Sequence, residues 1–493
     1  MSRLDSVGTQ EDSLQTILPT GNEHLDEILG GGLPSKRIYL VQGDPGAGKT
    51  TLGIQFLLEG RRRAEKVLYI SLSESREELL AVGESHGWKL DHLPIFELAA
   101  RDESLLLEQQ NTLFEPSEVE LAEVTQKLLA EVERIAPQRI VFDSLSEMRL
   151  LAQNALRYRR HLLSLKQDFL SRGCTVLLMD DRTSEAGDLQ LQSLAHGVIA
   201  LEQLAPLYGG SRRRLRIVKM RGVSYRGGYH DFRIVRGGLE IYPRLVAAEH
   251  HEAFRAAAVP SAIPELDELL GGGLDRGTSA LFIGPAGSGK SAMATQYAVA
   301  AAQRGEASAT YLFDEGPGTF RARAAGLGLP IDAMLEGGKL LMKQIDPAEM
   351  SPGEFIHQIR MDVELRDVRV VVIDSLNGYL AAMPEEQFLV VQMHELLSYL
   401  RQRGVLSILV VAQTGLVGNM SSPVDVSYLA DTVLMTRYFE SRGRVRKAVS
   451  IIKRRGGKHG TGIHELLFDE GLRLGPELSE LEGVLSGVPR SSS

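Results

Sequence analysis

Short apolar runs alternate with longer stretches of helical spacing along almost the whole chain. RIYLVQG (37–43), KVLYISL (66–72), RIVFDSL (139–145), CTVLLMD (174–180) and GVIALE (197–202) are dominated by β-branched and other apolar residues, the pattern of strands. Between them, EVELAEVTQKLLAEVERI (118–135) sets apolar residues three and four apart and predicts a helix. TSALFIG (278–284), ATYLFDE (309–315), RVVVIDSL (369–376) and LSILVVAQ (406–413) play the strand roles again in the second half. Strands apolar on both faces and separated by helices predict an α/β fold, a mostly parallel doubly wound sheet in each half.

The halves are copies of one unit. LDEILGGGLP at 25–34 answers LDELLGGGLD at 266–275, and Lys49 and Lys290 lie the same 241 positions apart. VFDSL at 141–145 answers VIDSL at 372–376, and IVKMRG at 217–222 answers IIKRRG at 451–456. Four signals in one order mark a duplication. The predicted organisation is a tail over 1–15, a first domain over 16–247, an Ala-rich linker over 248–260, a second domain over 261–485 and a tail over 486–493.

Composition narrows the class without changing this plan. The 493 residues are 43% hydrophobic and 24% charged, and the apolar runs are too short to span a bilayer. The N-terminus has no secretory pattern and Cys174 is the one cysteine, so a cytoplasmic protein without disulfides is expected. A net charge of −9 argues against nucleic acid as a general partner, with SRRRLRIVKMRG (211–222) a local exception.

Each half carries a phosphate-binding loop. GDPGAGKTT (43–51) presents Gly43, Gly46, Gly48, Lys49, Thr50 and Thr51, and GPAGSGKSA (284–292) presents Gly284, Gly287, Gly289, Lys290, Ser291 and Ala292. Both follow an apolar strand and open a helix, the context in which backbone N–H groups cradle phosphates and the lysine neutralises β/γ oxygens. A hydroxyl from Thr50 or Ser291, with Asp143 or Asp374 at the end of another strand, forms the expected Mg²⁺ set for bound ATP. Glu74, Asp314 and Glu315 follow the next strand in each half and are the expected groups for orienting or deprotonating water. Lys219 with Arg221, and Lys453 with Arg455, sit two residues apart on strand-like segments, as a finger reaching a neighbouring subunit's γ-phosphate would require.

Together these residues resemble the KaiC family, double-domain ATPases of the RecA superfamily. The likeness runs from about residue 15 to about 490 and includes both phosphate loops, both DSL motifs and both K-x-R-G motifs. It implies two tandem RecA-like domains and a hexamer with ATP at subunit interfaces. It also implies hydrolysis in the first domain, autophosphorylation in the second, and a protein partner, KaiB-like or from a signalling pathway. In SSPVDVSYLADTV (421–433) the resemblance places Ser427 on one phosphoacceptor position, Tyr428 where the family has Thr or Ser, and Ser422 on a nearby Thr.

Three departures accompany it. The family's first-domain glutamate pair is Ser73–Glu74, and the second-domain pair is Asp314–Glu315. The chain ends soon after VLSGVPR, where the clock protein continues into a regulatory tail, so control through that tail is not expected. Two alternatives to the ATPase and serine autokinase reading are a DNA-dependent motor of the same superfamily and an ATP-gated scaffold.

Overall fold

The apolar runs become the strands of two nine-stranded sheets with the same order. In the first, from edge to edge, lie Gly238–Tyr242, His230–Val235, Arg212–Met220, Gly197–Leu204, Ile38–Gly43, Thr175–Asp181, Arg139–Asp143, Val67–Ser71 and Ile95–Glu97. In the second, run from the opposite edge, lie Leu340–Gln344, Ala307–Leu312, Val368–Asp374, Leu406–Ala412, Ser279–Gly284, Thr432–Ser441, Arg444–Arg454, His464–Leu467 and Arg473–Glu477. In each sheet the six strands that include the phosphate-loop strand pair in parallel, and the remaining three continue as an antiparallel meander. These are two tandem RecA-like α/β domains.

This computed structural model describes residues 16–97, 116–152, 154–181, 188–206, 209–381, 388–413, 415, 427–469, 471–484 and 490–491. The chain divides into two compact units, Met1–Arg244 and Leu245–Ser493.

Both faces of each sheet are covered, which explains the near-continuous apolar runs. Tyr39 and Val41 point to the face covered by the helix Lys49–Arg62, while Ile38 and Leu40 point to the face covered by Leu145–Ala152 and Ala155–Ser171. The second unit repeats the alternation, with Ala280 and Phe282 on one face and Leu281 and Ile283 on the other. The expected helix over 118–135 is present as Pro116–Ile135.

Residues 245–259, at the join, pack along the second unit. Leu245 and Ala247 are buried in its core, the His250 ring meets Tyr399 edge-on at 5.2 Å, and Glu252 pairs with Arg403 at 2.9 Å. Ala258–Val259 then pairs with Leu274–Asp275, as Ile17–Leu18 pairs with Leu33–Pro34 in the first unit.

Candidate functional site

The first phosphate loop leaves the sheet at Gly43 and turns into the helix Lys49–Arg62 through Gly46 (φ +78°) and Gly48 (φ +97°), both left-handed. The second leaves at Gly284 and repeats the path through Gly287 (φ +73°) and Gly289 (φ +105°) into Lys290–Gln303. No side chain caps either helix start, so the first amides point into the loop, where an anion is favoured.

The lysines are buried under the loops. Lys49 Nζ donates to the carbonyls of Gly43 at 2.9 Å and Asp44 at 3.1 Å, and forms an ion pair with Asp181 at 2.8 Å. Lys290 Nζ donates to Pro285 O at 2.6 Å, and burial pulls it down to about 8, opposed by the Asp374 charge. Thr50 Oγ1 and the phenol of Tyr69 both donate to Asp143 Oδ2, at 3.3 and 2.6 Å. Burial pushes Asp143 above the usual carboxylate range, against the Tyr69 hydrogen bond and the Lys49 charge. Asp374 is raised for the same reason, opposed first by a hydrogen bond from Ser291.

Glu74 stands beside this pair. Burial and then the Asp143 charge push its carboxyl upward, and Glu74 Oε2 is buried with no hydrogen-bond partner among the described residues. In the second unit its counterpart Glu315 and the neighbouring Asp314 are both engaged. The Ser375 hydroxyl donates to Asp314, and Arg323 grips both oxygens of Glu315, at 3.2 and 2.6 Å. Gly287, Lys290, Ser291, Asp314, Glu315 and Asp374 line a cavity of about 530 Å³, within the size range of small-molecule sites. Ala292 lines it too, whereas the Thr51 hydroxyl is turned to His86 Nε2 at 3.4 Å.

Comparison with known proteins agrees with this geometry. The family model described as the KaiC ATPase matches residues 18–246 and again residues 259–477. The chain belongs to the KaiC ATPase family. Among its relatives is the circadian clock oscillator protein KaiC of Parasynechococcus marenigrum, 24% identical, with the alignment covering 96% of this chain and 93% of the relative. The proteins of the same name from Acaryochloris marina and Thermostichus vulcanus are each 25% identical, covering 96% and 98% of this chain and 91% and 94% of theirs. The chain is accordingly a KaiC-like ATP-binding protein. No helix among the described residues is long and apolar enough to cross a membrane.

The paired basic residues of this KaiC-family chain lie at the opposite end of each sheet from its own phosphate loop. Met220 pairs with Gly197, which pairs with Tyr39, four residues and roughly 13 Å of strand before Gly43. Arg454 pairs with Thr432, which pairs with Ala280, again four residues before Gly284. There Lys219 donates to Gln192 O and Arg221 to Ser193 O at 3.2 Å, while Lys453 donates to Ala430 O at 2.7 Å and Arg455 lies 3.4 Å from Asp431. The turn Ser427–Leu429 is at the same end, with the Ser279 hydroxyl donating to Leu429 O at 2.8 Å. Tyr428 is exposed; the Ser427 side chain and Ser422 lie outside the described residues.

The basic run at 211–222 is largely absorbed by the fold. Arg213 donates to Gly46 O at 3.3 Å, and Arg214 pairs with Glu202 at 2.9 Å while its guanidinium lies 4.1 Å from the Tyr229 ring. Asp181, Tyr69 and Arg323 are site residues that sequence reading missed. Asp181 could have been found by aligning strand ends, since a parallel register sets it opposite Gly43. Arg323 leaves no such mark, because only helix docking brings it back to Glu315.

Proposed function

We propose that both units bind Mg²⁺-ATP and hydrolyse it at interfaces between subunits of a homo-oligomeric ring, a hexamer by analogy with the family. The second unit is in addition a serine autokinase with Ser427 as acceptor. In this reading the loop amides and Lys49 or Lys290 hold the triphosphate. Thr50 with Asp143, and Ser291 with Asp374, hold the metal. The hydroxyl and carboxylate pairs fit a magnesium, a hard cation that takes oxygen ligands and keeps most of its shell from phosphate and water. That metal would supply charge neutralisation at the β/γ oxygens.

Glu74 takes the proton of the attacking water in the first unit. Its buried, unpartnered oxygen and upward-shifted carboxyl suit a proton acceptor. In the second unit Asp314 and Glu315 flank the attack by water or by the Ser427 hydroxyl.

The observation that carries the interface reading is the separation of ends. Phosphate loops and acids sit at one end of each sheet, while Lys219/Arg221, Lys453/Arg455 and the Ser427–Leu429 turn sit at the other. A single unit cannot bring its own two ends together, whereas head-to-tail neighbours can. Mixing tests this. Lys290→Ala and Lys453→Ala chains should each lose second-site turnover, and co-assembled mixtures should regain about a quarter of it from interfaces that pair intact halves. Mixtures as inactive as their parts would count against action in trans. Intact mass after incubation with Mg-ATP should show added phosphate that is lost in Ser427→Ala.

A further inference from the structure

The helix that follows the strand-end acid is the same element in both units, Arg76–Ser85 and Pro317–Gly326, displaced by the repeat step of 241 residues. One position on it differs in a way that changes the site. In the second unit Arg323 turns back over the ring of Phe320 (5.2 Å) into the cavity wall beside Lys290 and Asp374. Its Nε and one terminal nitrogen take one oxygen each of Glu315, and its other terminal nitrogen donates to Thr295 Oγ1 at 2.9 Å. All three guanidinium nitrogens are therefore committed, and the pair is only partly exposed, at 23% and 19%. In the first unit the same helical position is Val82, and Glu74, the equivalent of Glu315, keeps a buried oxygen without a partner among the described residues.

Two carboxylates at equivalent places thus have opposite surroundings. Hydrolysis forms a bond from water oxygen to the γ-phosphorus, breaks the bond to the β,γ-bridging oxygen with its electron pair leaving on ADP, and delivers the water proton to a base. A carboxylate held by a two-pronged guanidinium pair has given up a lone pair on each oxygen and must weaken a charge-assisted bond to accept that proton. Ser375 engages Asp314, the other acid of the second site, in the same sense.

We infer that Arg323 is a positioning residue that pins Glu315 and thereby restrains attack by water in the second unit, leaving the Glu74 site the faster of the two. This rests on the proposal that both units hydrolyse ATP.

The test is made in full-length protein carrying Lys49→Ala, which isolates the second site. Arg323→Ala should raise kcat for ATP about tenfold with KM within about twofold, a part of the roughly 10²- to 10⁴-fold that general-base action is worth on the chemical step rather than on binding. Arg323→Lys, which keeps the charge but not the fork, should fall between Arg323→Ala and the parent. Arg323→Gln, able to retain a hydrogen bond to Thr295, should behave like Arg323→Ala and guards against a folding defect. Conversely, Val82→Arg in a Lys290→Ala background should slow the first site. A fall in kcat on removing Arg323 would mean that it stabilises the transferred phosphoryl instead, and an unchanged kcat would mean that the pair is idle; either overturns the inference. Absence of ATP binding and turnover in the Lys49→Ala chain would be a different failure, that of the underlying reading.

Discussion

Lys49 and Asp181 form an ion pair at 2.8 Å in the first unit, and the equivalent position in the second unit carries no carboxylate. Parallel register sets Asp181 opposite Gly43, and the residue opposite Gly284 is Ala412. The duplication preserved the lysine and its loop but not the carboxylate facing it.

This difference predicts unequal nucleotide affinities. A triphosphate that recruits Lys49 has to draw it from Asp181, which the Ser146 hydroxyl also contacts at 3.2 Å. Asp181→Asn, in a Lys290→Ala background, should tighten ATP binding about fivefold, or about 1 kcal/mol, by isothermal titration calorimetry. An unchanged Kd would show that the pair and the phosphate do not compete.

The loops predict stoichiometry. A Cβ on Gly289 would lie 2.7 Å from Phe468 Cζ and would have to adopt φ +105°. Gly289→Ala should abolish binding at the second site and leave the first intact, so that calorimetry counts one nucleotide per chain where the parent holds two. Two nucleotides per Gly289→Ala chain would contradict the loop assignment.

Asp26 predicts a pH effect. Burial pushes its carboxyl up to about 6, outweighing the hydrogen bond from the Thr20 amide at 2.8 Å. A raised carboxyl contributes its full stability below the ordinary aspartate value of about 4 and loses it as pH rises through about 6. Asp26→Asn keeps the acceptor oxygen and sheds the charge. It should be more stable than the parent by about 1 kcal/mol near pH 7 after allowing for solvent screening, with no gain near pH 4. Thermal melts at the two pH values decide it.

Arg139 predicts the largest stability loss. It is fully buried at the start of its strand, where it pairs with Glu65, donates to Pro19 O at 2.7 Å and Phe56 O at 3.1 Å, and lies 4.7 Å from the Phe56 ring. Glu65→Ala strands that charge and should cost about 3 kcal/mol or more of the first unit's stability in denaturant melts. Replacing both by apolar residues, Arg139→Met with Glu65→Leu, should restore much of the loss.

How much of this was legible beforehand depended on how local the signal was. The phosphate loops, the strand-end acids Asp143 and Asp374, and the repeat are encoded in contiguous residues whose backbone needs are local, so they could be read directly. The join was harder. The Ala-rich stretch over 248–260, without strong periodicity, looks like a linker, yet His250 and Glu252 find partners in Tyr399 and Arg403 of the second unit. The aspartate of CTVLLMD looked like one more core strand end, and nothing local says that Asp181, one residue on, meets Lys49.

By itself the sequence determined the duplicated α/β plan, the two glycine-rich loops that end in Lys49 and Lys290, and the class of ligand, because amphipathic period and glycine conformation act over a few neighbouring positions. Only the tertiary structure decided which side chains stand together at each loop. It set Asp181 on Lys49 in one unit and Arg323 on Glu315 in the other, and carried Lys219, Arg221, Lys453 and Arg455 to the far ends of their sheets. Those relationships come from strand order, register and helix docking, which join residues from eight to more than a hundred positions apart and leave no periodic trace along the chain.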